Sequence, residues 1–251
     1  MTGEEKLTIG VQSYCFRNFR DNQKVAADMK ECGLSRLELC GVHVDFGNPS
    51  RFKDVLALYR DNGIEIVSIG VNACTKDKNG TRNLFECARM AGADVMSVTF
   101  LRDQVPESYR TAEALADEYG INCAIHNHGR HDWLGSSREL RKTFGETTER
   151  IGLCLDTAWA LDAGEDPVKM AAEFADRLYL LHVKDFVFDR AGKPEDVVAG
   201  EGNLKLEALL SEMKTAHFEG CAIIEYEGDP NNPVPAIRRS VENLVAAMGE
   251  R

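Results

Sequence analysis

Basic charge is scarce in this chain. Thirty Lys and Arg face 41 Asp and Glu, a formal charge of −11. Nucleic-acid binding needs a basic footprint on the phosphates, so no DNA or RNA partner is expected. The same deficit removes attraction to an anionic membrane surface. Long apolar runs are missing too, and nothing reaches the length that spans a bilayer. The opening MTGEEKLTIGVQSY has no basic segment leading into an apolar one, so no secretory leader is read there and a cytoplasmic location is expected. Cysteine pairing motifs are absent. Cys15, Cys32, Cys40, Cys74, Cys87, Cys123, Cys154 and Cys221 are scattered with no CxxC, which reads as reduced core thiols. The first strand-like run leads into QSYCFRNF without a glycine, against an open dinucleotide-binding sheet.

What is present is a repeat. Strand-like runs begin near Thr8, Arg36, Glu65, Val95, Asn122, Ile151, Leu178 and Cys221, most of them about 27 to 30 residues apart, the length of one βαβ step. Helical spacing fills the gaps. Phe52, Val55, Leu56 and Tyr59 lie at i, i+3, i+4 and i+7, Leu206, Leu209, Leu210 and Met213 repeat the pattern, and Ile237, Val241, Leu244 and Val245 come close to it. Asp166-Pro167 reads as an N-cap followed by proline at the first helical position. Gly33, Gly63, Gly92 and Gly120 fall where C-terminal caps belong. Eight strand–helix units in 251 residues predict an α/β fold, a (β/α)8 TIM barrel in a single domain spanning 1–251.

Four of the apolar runs end in a polar residue: NCAIH in His126, IGLCLD in Asp156, LYLLH in His182 and CAIIE in Glu225. Strands of one parallel barrel point their C-terminal ends to one face, where such enzymes keep their chemistry. Two imidazoles and two carboxylates converging there make a divalent-metal site. Each residue alone has a plainer reading. Asp156 is also a good N-cap for the next segment. A histidine after an apolar run is often a hydrogen-bonded core residue. Glu227 shares a strand face with Glu225 and competes for the ligand role.

Around the proposed ligands stand further candidates. Strand alternation puts His128 beside His126 and Asn127 on the other side, so His128 is a substrate or supporting residue, while His131 reads as a solvated loop residue. Glu38 ends the run RLELC, His43 follows it, and both are expected at the mouth. Trp133 and Trp159 read equally as an apolar wall for a sugar ring or as loop packing. Gly200-Glu201-Gly202 is a flexible turn or a lid. Lys184 and Arg130 are the nearest basic groups, but Glu201, Glu227 and Asp229 would repel an anion, so a neutral polyol or keto-sugar is expected rather than a sugar phosphate.

The runs LCLDTAWALDAGEDP, LYLLHVKD, GEGN and IIEYEGD resemble the xylose isomerase-like TIM barrels, a family of sugar isomerases and epimerases that also takes in inosose dehydratase and, more remotely, endonuclease IV. The resemblance implies a divalent ion, Mn, Co, Mg or Zn, held by Glu, Asp, His and Glu. Asp156, His182 and Glu225 match the last three, and His126, in IHN, replaces the first glutamate. In the epimerases that the chain resembles, that glutamate pairs with the last one as opposed acid/base groups. The implied function is a metal-dependent isomerase or epimerase acting on a sugar or keto-sugar through an enediolate, with Glu225, His128, Glu38 and Lys184 as catalytic candidates and His126, Asp156, His182 and Glu225 as metal ligands. A lyase or dehydratase acting on a keto-sugar or keto-glycoside is the alternative. An endonuclease IV-like enzyme would need more than six histidines and a basic face. A non-catalytic sugar-binding barrel would keep the pocket without turnover. The expected partner is a small sugar, with no nucleic acid and no membrane, and self-association into a homo-oligomer stays open.

Overall fold

A computed structural model describes residues 7–249, so the first six residues of the stretch read above as lacking a leader lie outside it. The strands are β1 (Thr8–Gln12), β2 (Arg36–Leu39), β3 (Glu65–Ile69), β4 (Asn72–Cys74), β5 (Val95–Phe100), β6 (Asn122–His126), β7 (Ile151–Asp156), β8 (Leu178–Val183), β9 (Asp185–Phe188), β10 (Pro194–Val197) and β11 (Cys221–Ile224). The helices are α1 (Asn22–Glu31), α2 (Pro49–Asp61), α3 (Lys78–Ala91), α4 (Glu107–Tyr119), α5 (Ser137–Glu146), α6 (Thr157–Asp162), α7 (Pro167–Glu173), α8 (Leu206–Thr215) and α9 (Val234–Ala247).

Nine strand segments form one parallel sheet in the order β3-β2-β1-β11-β8-β7-β6-β5-β4. β3 pairs with β2 and β4 pairs with β5, so the stretch 65–74 carries the sheet across its own gap and nearly closes the ring. This is the expected barrel, with its third strand broken in two. At the break, a Cβ on Gly70 would lie 2.0 Å from the Ser97 hydroxyl, so only glycine lets the backbone pass β5 that closely. Every predicted strand start coincides with the start of a barrel strand.

The helices form as their spacing predicts. Leu206, Leu209, Leu210 and Met213 are all buried against the barrel. The Asp166 side chain accepts from the Val168 amide with Pro167 at the first position of α7. Gly92 and Gly120 end α3 and α4 in the left-handed conformation, which an L side chain resists. All eight cysteines are free and buried. No helix among the described residues is long and apolar enough to cross a membrane.

Strand period decides what fills the barrel interior. Ala124, Cys154 and Leu180 form a small buried cluster. Two residues further along β6, β7 and β8, on the same faces, come His126, Asp156 and His182. The polar group therefore sits one layer above an apolar plug. Beyond β8 the long connection folds into an antiparallel hairpin, β9–β10, that spacing alone did not reveal.

Candidate metal centre

Four adjacent strands present the four residues. His126 ends β6, Asp156 ends β7, His182 lies near the end of β8 in register with Asp156, and Glu225 follows β11. Local hydrogen bonds lock these ends together. The Asn127 amide donates to the Asp156 carbonyl at 2.9 Å and accepts from the Asp156 N–H at 2.8 Å, tying β6 to β7. The Thr157 hydroxyl donates to the Lys184 carbonyl and accepts from the Lys184 N–H, tying β7 to β8. Asn127 was read only as facing away from the histidines, and Thr157 carried no signal, because a clamp depends on its partner strand.

One candidate ligand atom from each of His126, Asp156, His182 and Glu225 lies within 4.8 Å of the others. His126 Nε2 is 3.4 Å from Asp156 Oδ2 and 3.9 Å from Glu225 Oε2, and His182 Nδ1 is 2.8 Å from Glu225 Oε2. Yet His126 Nε2, Asp156 Oδ2 and His182 Nδ1 have no aligned hydrogen-bond partner although all are buried. Buried ligand-type atoms left unpaired within so small a space are ones that an ion would satisfy. Asp156 fulfils its helix-cap reading, Oδ1 accepting from the Trp159 N–H at 2.8 Å, and its Oδ2 faces His126 in the cluster.

The electrostatics fit a cation. Burial pulls the His182 imidazole down, but Cys154, Glu38 and Glu225 outweigh it and hold its pKa well above the usual value. Burial likewise opposes charge on His126, and Asp156 and Glu225 raise it. Burial works against ionised Glu225 too, but Lys184 and the two imidazoles keep its pKa well below the ordinary carboxylate range. A field that favours protons on two buried imidazoles also favours a divalent ion at the same spot.

The remaining candidates take distinct places. Glu38 is fully buried, not at the mouth. Its Oε1 lies 3.2 Å from His182 Nε2 and accepts from Gln12 Nε2 at 2.7 Å and Ser97 Oγ at 2.6 Å. Glu38 thus stands beside the Nε2 nitrogen of His182 and does not line the cleft. His43 is also buried, with Nε2 2.9 Å from the Phe19 carbonyl. His128 is exposed at the mouth, its Nδ1 3.0 Å from His126 Nδ1. Desolvation by the protein on its inner side and the charge of His126 push its pKa down to about 4. Lys184 is 1% exposed and lies between Glu225, Glu227 and Asp196. Arg130 is bound to Asp162, and His131 is exposed. Trp133 donates to the Phe100 carbonyl, as loop packing.

Gly200-Glu201-Gly202 is not free to act as a lid. The Gly200 and Gly202 amides donate to Asp185 Oδ2 at 3.0 and 2.8 Å, and the Leu204 amide donates to Asp185 Oδ1. Glu201 turns away to Arg239.

Above the cluster opens a cleft of about 430 Å³ lined by His126, His128, Trp159, Glu225, Glu227 and Tyr14, among others. Gln12 and Tyr14 also line it and went unremarked in the sequence, because nothing local marks a residue just past β1 as facing a cleft.

The family model described as xylose isomerase-like TIM barrel matches residues 26–247. The rhizopine catabolism protein MocC of Rhizobium meliloti is 29% identical over 159 residues, 56% of this chain and 48% of that protein. An inosose dehydratase of Geobacillus thermodenitrificans is 24% identical over 131 residues, 46% of this chain and 44% of that one. The chain thus spans about half the length of the curated relatives it matches. The crystal structure of a 3-keto-D-glucoside 4-epimerase from E. coli has a TM-score of 0.75 at 17% identity, covering 96% of this chain and 100% of that one, a likeness of fold.

Proposed function

Because the chain belongs to the xylose isomerase-like TIM barrel family, we propose that it is a divalent-metal-dependent isomerase or epimerase that enolises a neutral sugar or keto-sugar. The observation that carries this reading is the convergence of His126, Asp156, His182 and Glu225 beneath the cleft. Two imidazoles and two carboxylates suit Mn, Co or Zn; Mg, which prefers oxygen donors, fits less well. When bound, such an ion supplies Lewis-acid polarisation of a substrate carbonyl.

The chain's own residues supply the rest. Glu225 is held ionised and is the group assigned to take the α-proton. Its low pKa costs basicity, so transfer is fast only from an α-carbon acidified by the neighbouring carbonyl. His128 stands uncharged at the mouth and is the second group able to take up or return a proton. Trp159 and Tyr14 add aromatic surface to the cleft lining, and the acidic lining groups Glu225 and Glu227 repel phosphate, which favours a neutral substrate.

A second reading is a lyase or dehydratase that shares the enolising step and then expels a β-leaving group. It is favoured by the match to inosose dehydratase and by His126 standing where the epimerases it resembles have glutamate.

The test is a panel of neutral keto-sugars and keto-cyclitols beside their phosphorylated counterparts, followed by NMR with and without chelator. Chelator-sensitive conversion of a neutral compound to an isomer is expected. Loss of water or of an aglycone would select the lyase. Turnover confined to phosphorylated compounds, or indifferent to chelator, would contradict the reading.

A further inference from the structure

Lys184 is a buried cation that the proposed chemistry uses only for its charge on Glu225. Its ammonium is 1% exposed and lies 3.4 Å from Glu225 Oε1, 3.7 Å from Asp196 Oδ2 and in direct contact with Glu227. The faces of Trp159 and Phe186 lie 5.4 and 5.7 Å away and complete its enclosure. Lys184 is two residues after His182 and on the same strand face, and Thr157 fixes its backbone through both N–H and C=O.

The two oxygens of Glu225 are therefore divided. Oε2 faces the imidazoles, 2.8 Å from His182 Nδ1 and 3.9 Å from His126 Nε2. Oε1 faces Lys184. A carboxylate free of such a partner can give a cation one oxygen or two. With the ammonium 3.4 Å from Oε1, that oxygen is turned from the imidazoles and keeps a lone pair for the substrate's proton, while Oε2 alone faces the ion site. We propose that Lys184 is a positioning residue that makes Glu225 a one-oxygen donor, so that the chain supplies four ligand atoms and leaves the remaining coordination positions to substrate. Lys184 also offsets the charge of Glu227 and Asp196, which would otherwise repel the Glu225 carboxylate beside them. The proposal rests on the metal reading above.

Cobalt(II) is the probe, because its visible absorption reports coordination number and geometry. Purified full chain would be stripped of metal and titrated with cobalt, following affinity by calorimetry and the visible band by absorption. Lys184→Met should weaken cobalt binding about 10- to 100-fold, the usual cost of losing an outer partner of a ligand. Its band should also lose intensity as Glu225 turns to give both oxygens. Lys184→Met leaves the half-buried Glu227 without its cation and risks misfolding. The Lys184→Met/Glu227→Gln double variant removes that stranded charge and should show the same weakened band. Glu227→Gln alone keeps the ammonium on Glu225 and should keep the wild-type band. A wild-type affinity and band in both Lys184 variants, or an equal change in Glu227→Gln alone, would overturn the proposal while the metal site stands. Wild-type protein that takes up no cobalt would overturn the metal reading and this proposal with it.

Discussion

Asp156 has one job in the fold and a second proposed for it, one on each oxygen, and two substitutions separate them. Oδ1 caps α6, and Oδ2 faces the proposed ion site. Asparagine caps a helix about as well as aspartate, so Asp156→Asn keeps the first job and loses the charged ligand. Alanine loses both. An ion that binds only the folded state adds about 4 kcal/mol of stability at a thousandfold excess over Kd. For a chain of 251 residues that is a rise in Tm of about 8 °C, at about 2 °C per kcal/mol. Losing a ligand should weaken affinity by about a hundredfold at least, since even outer partners cost 10- to 100-fold. At the same metal concentration the gain then drops to about 1.4 kcal/mol, or about 3 °C. Asp156→Ala should show the same small metal increment and lose a further 0.5–2 kcal/mol or so, with and without metal, from the missing cap. Differential scanning calorimetry of the three proteins, with chelator and with saturating manganese, reads both effects. Equal metal increments in wild type and Asp156→Asn would refute the assignment of Oδ2. An Asp156→Ala curve identical to that of Asp156→Asn would refute the cap.

Three further outcomes follow from the same geometry. Glu38→Gln removes the carboxylate beside His182 Nε2 and should weaken metal affinity about 10- to 100-fold by calorimetry, while the cleft keeps its shape; unchanged affinity would deny Glu38 a role in orienting that imidazole. Burial raises the Asp196 pKa to about 7 against the pull of Lys184, so the folded state binds this proton more tightly than the unfolded chain. Its contribution is favourable below about pH 4 and is lost as pH rises towards about 7. Urea unfolding of chelated protein should accordingly find Asp196→Asn more stable than wild type at pH 8, with the difference shrinking at pH 4; a pH-independent difference would contradict it. The chain should also show no tight, salt-sensitive binding to a duplex carrying an abasic site, given its charge of −11; a steep loss of affinity with added salt in a gel-shift titration would overturn that.

The strand ends were legible because each combines a short apolar run with a polar stop, and the regular spacing of those runs left one sensible architecture. Convergence of His126, Asp156, His182 and Glu225 follows from that architecture, since parallel strands in a barrel share a rim. What stayed hidden depends on partners distant in sequence. Glu38 reads like a rim residue, but the fold buries it beside His182 Nε2. The glycines at 200 and 202 look flexible until Asp185, 15 and 17 residues earlier, is seen to hold their amides. Lys184 reads as a basic group near the site and a catalytic candidate, and only the fold brings Asp196 and Glu227 round it. The hairpin β9–β10 was missed because its strands alternate too weakly to signal; in the fold its Phe186 packs edge-on against Trp159 of α6.

The central claim is that Glu225, itself one of the four proposed ligands with His126, Asp156 and His182, moves a proton at a carbon made acidic beside the ion. The direct measurement is incorporation of solvent deuterium at the substrate's α-carbon, followed by NMR in D2O for wild type, wild type with chelator, and Glu225→Gln. Wild type should incorporate deuterium or carry the hydrogen internally to product, chelator should stop both, and Glu225→Gln should slow turnover by about a hundredfold or more. Turnover indifferent to chelator, or Glu225→Gln as active as wild type, would contradict the account.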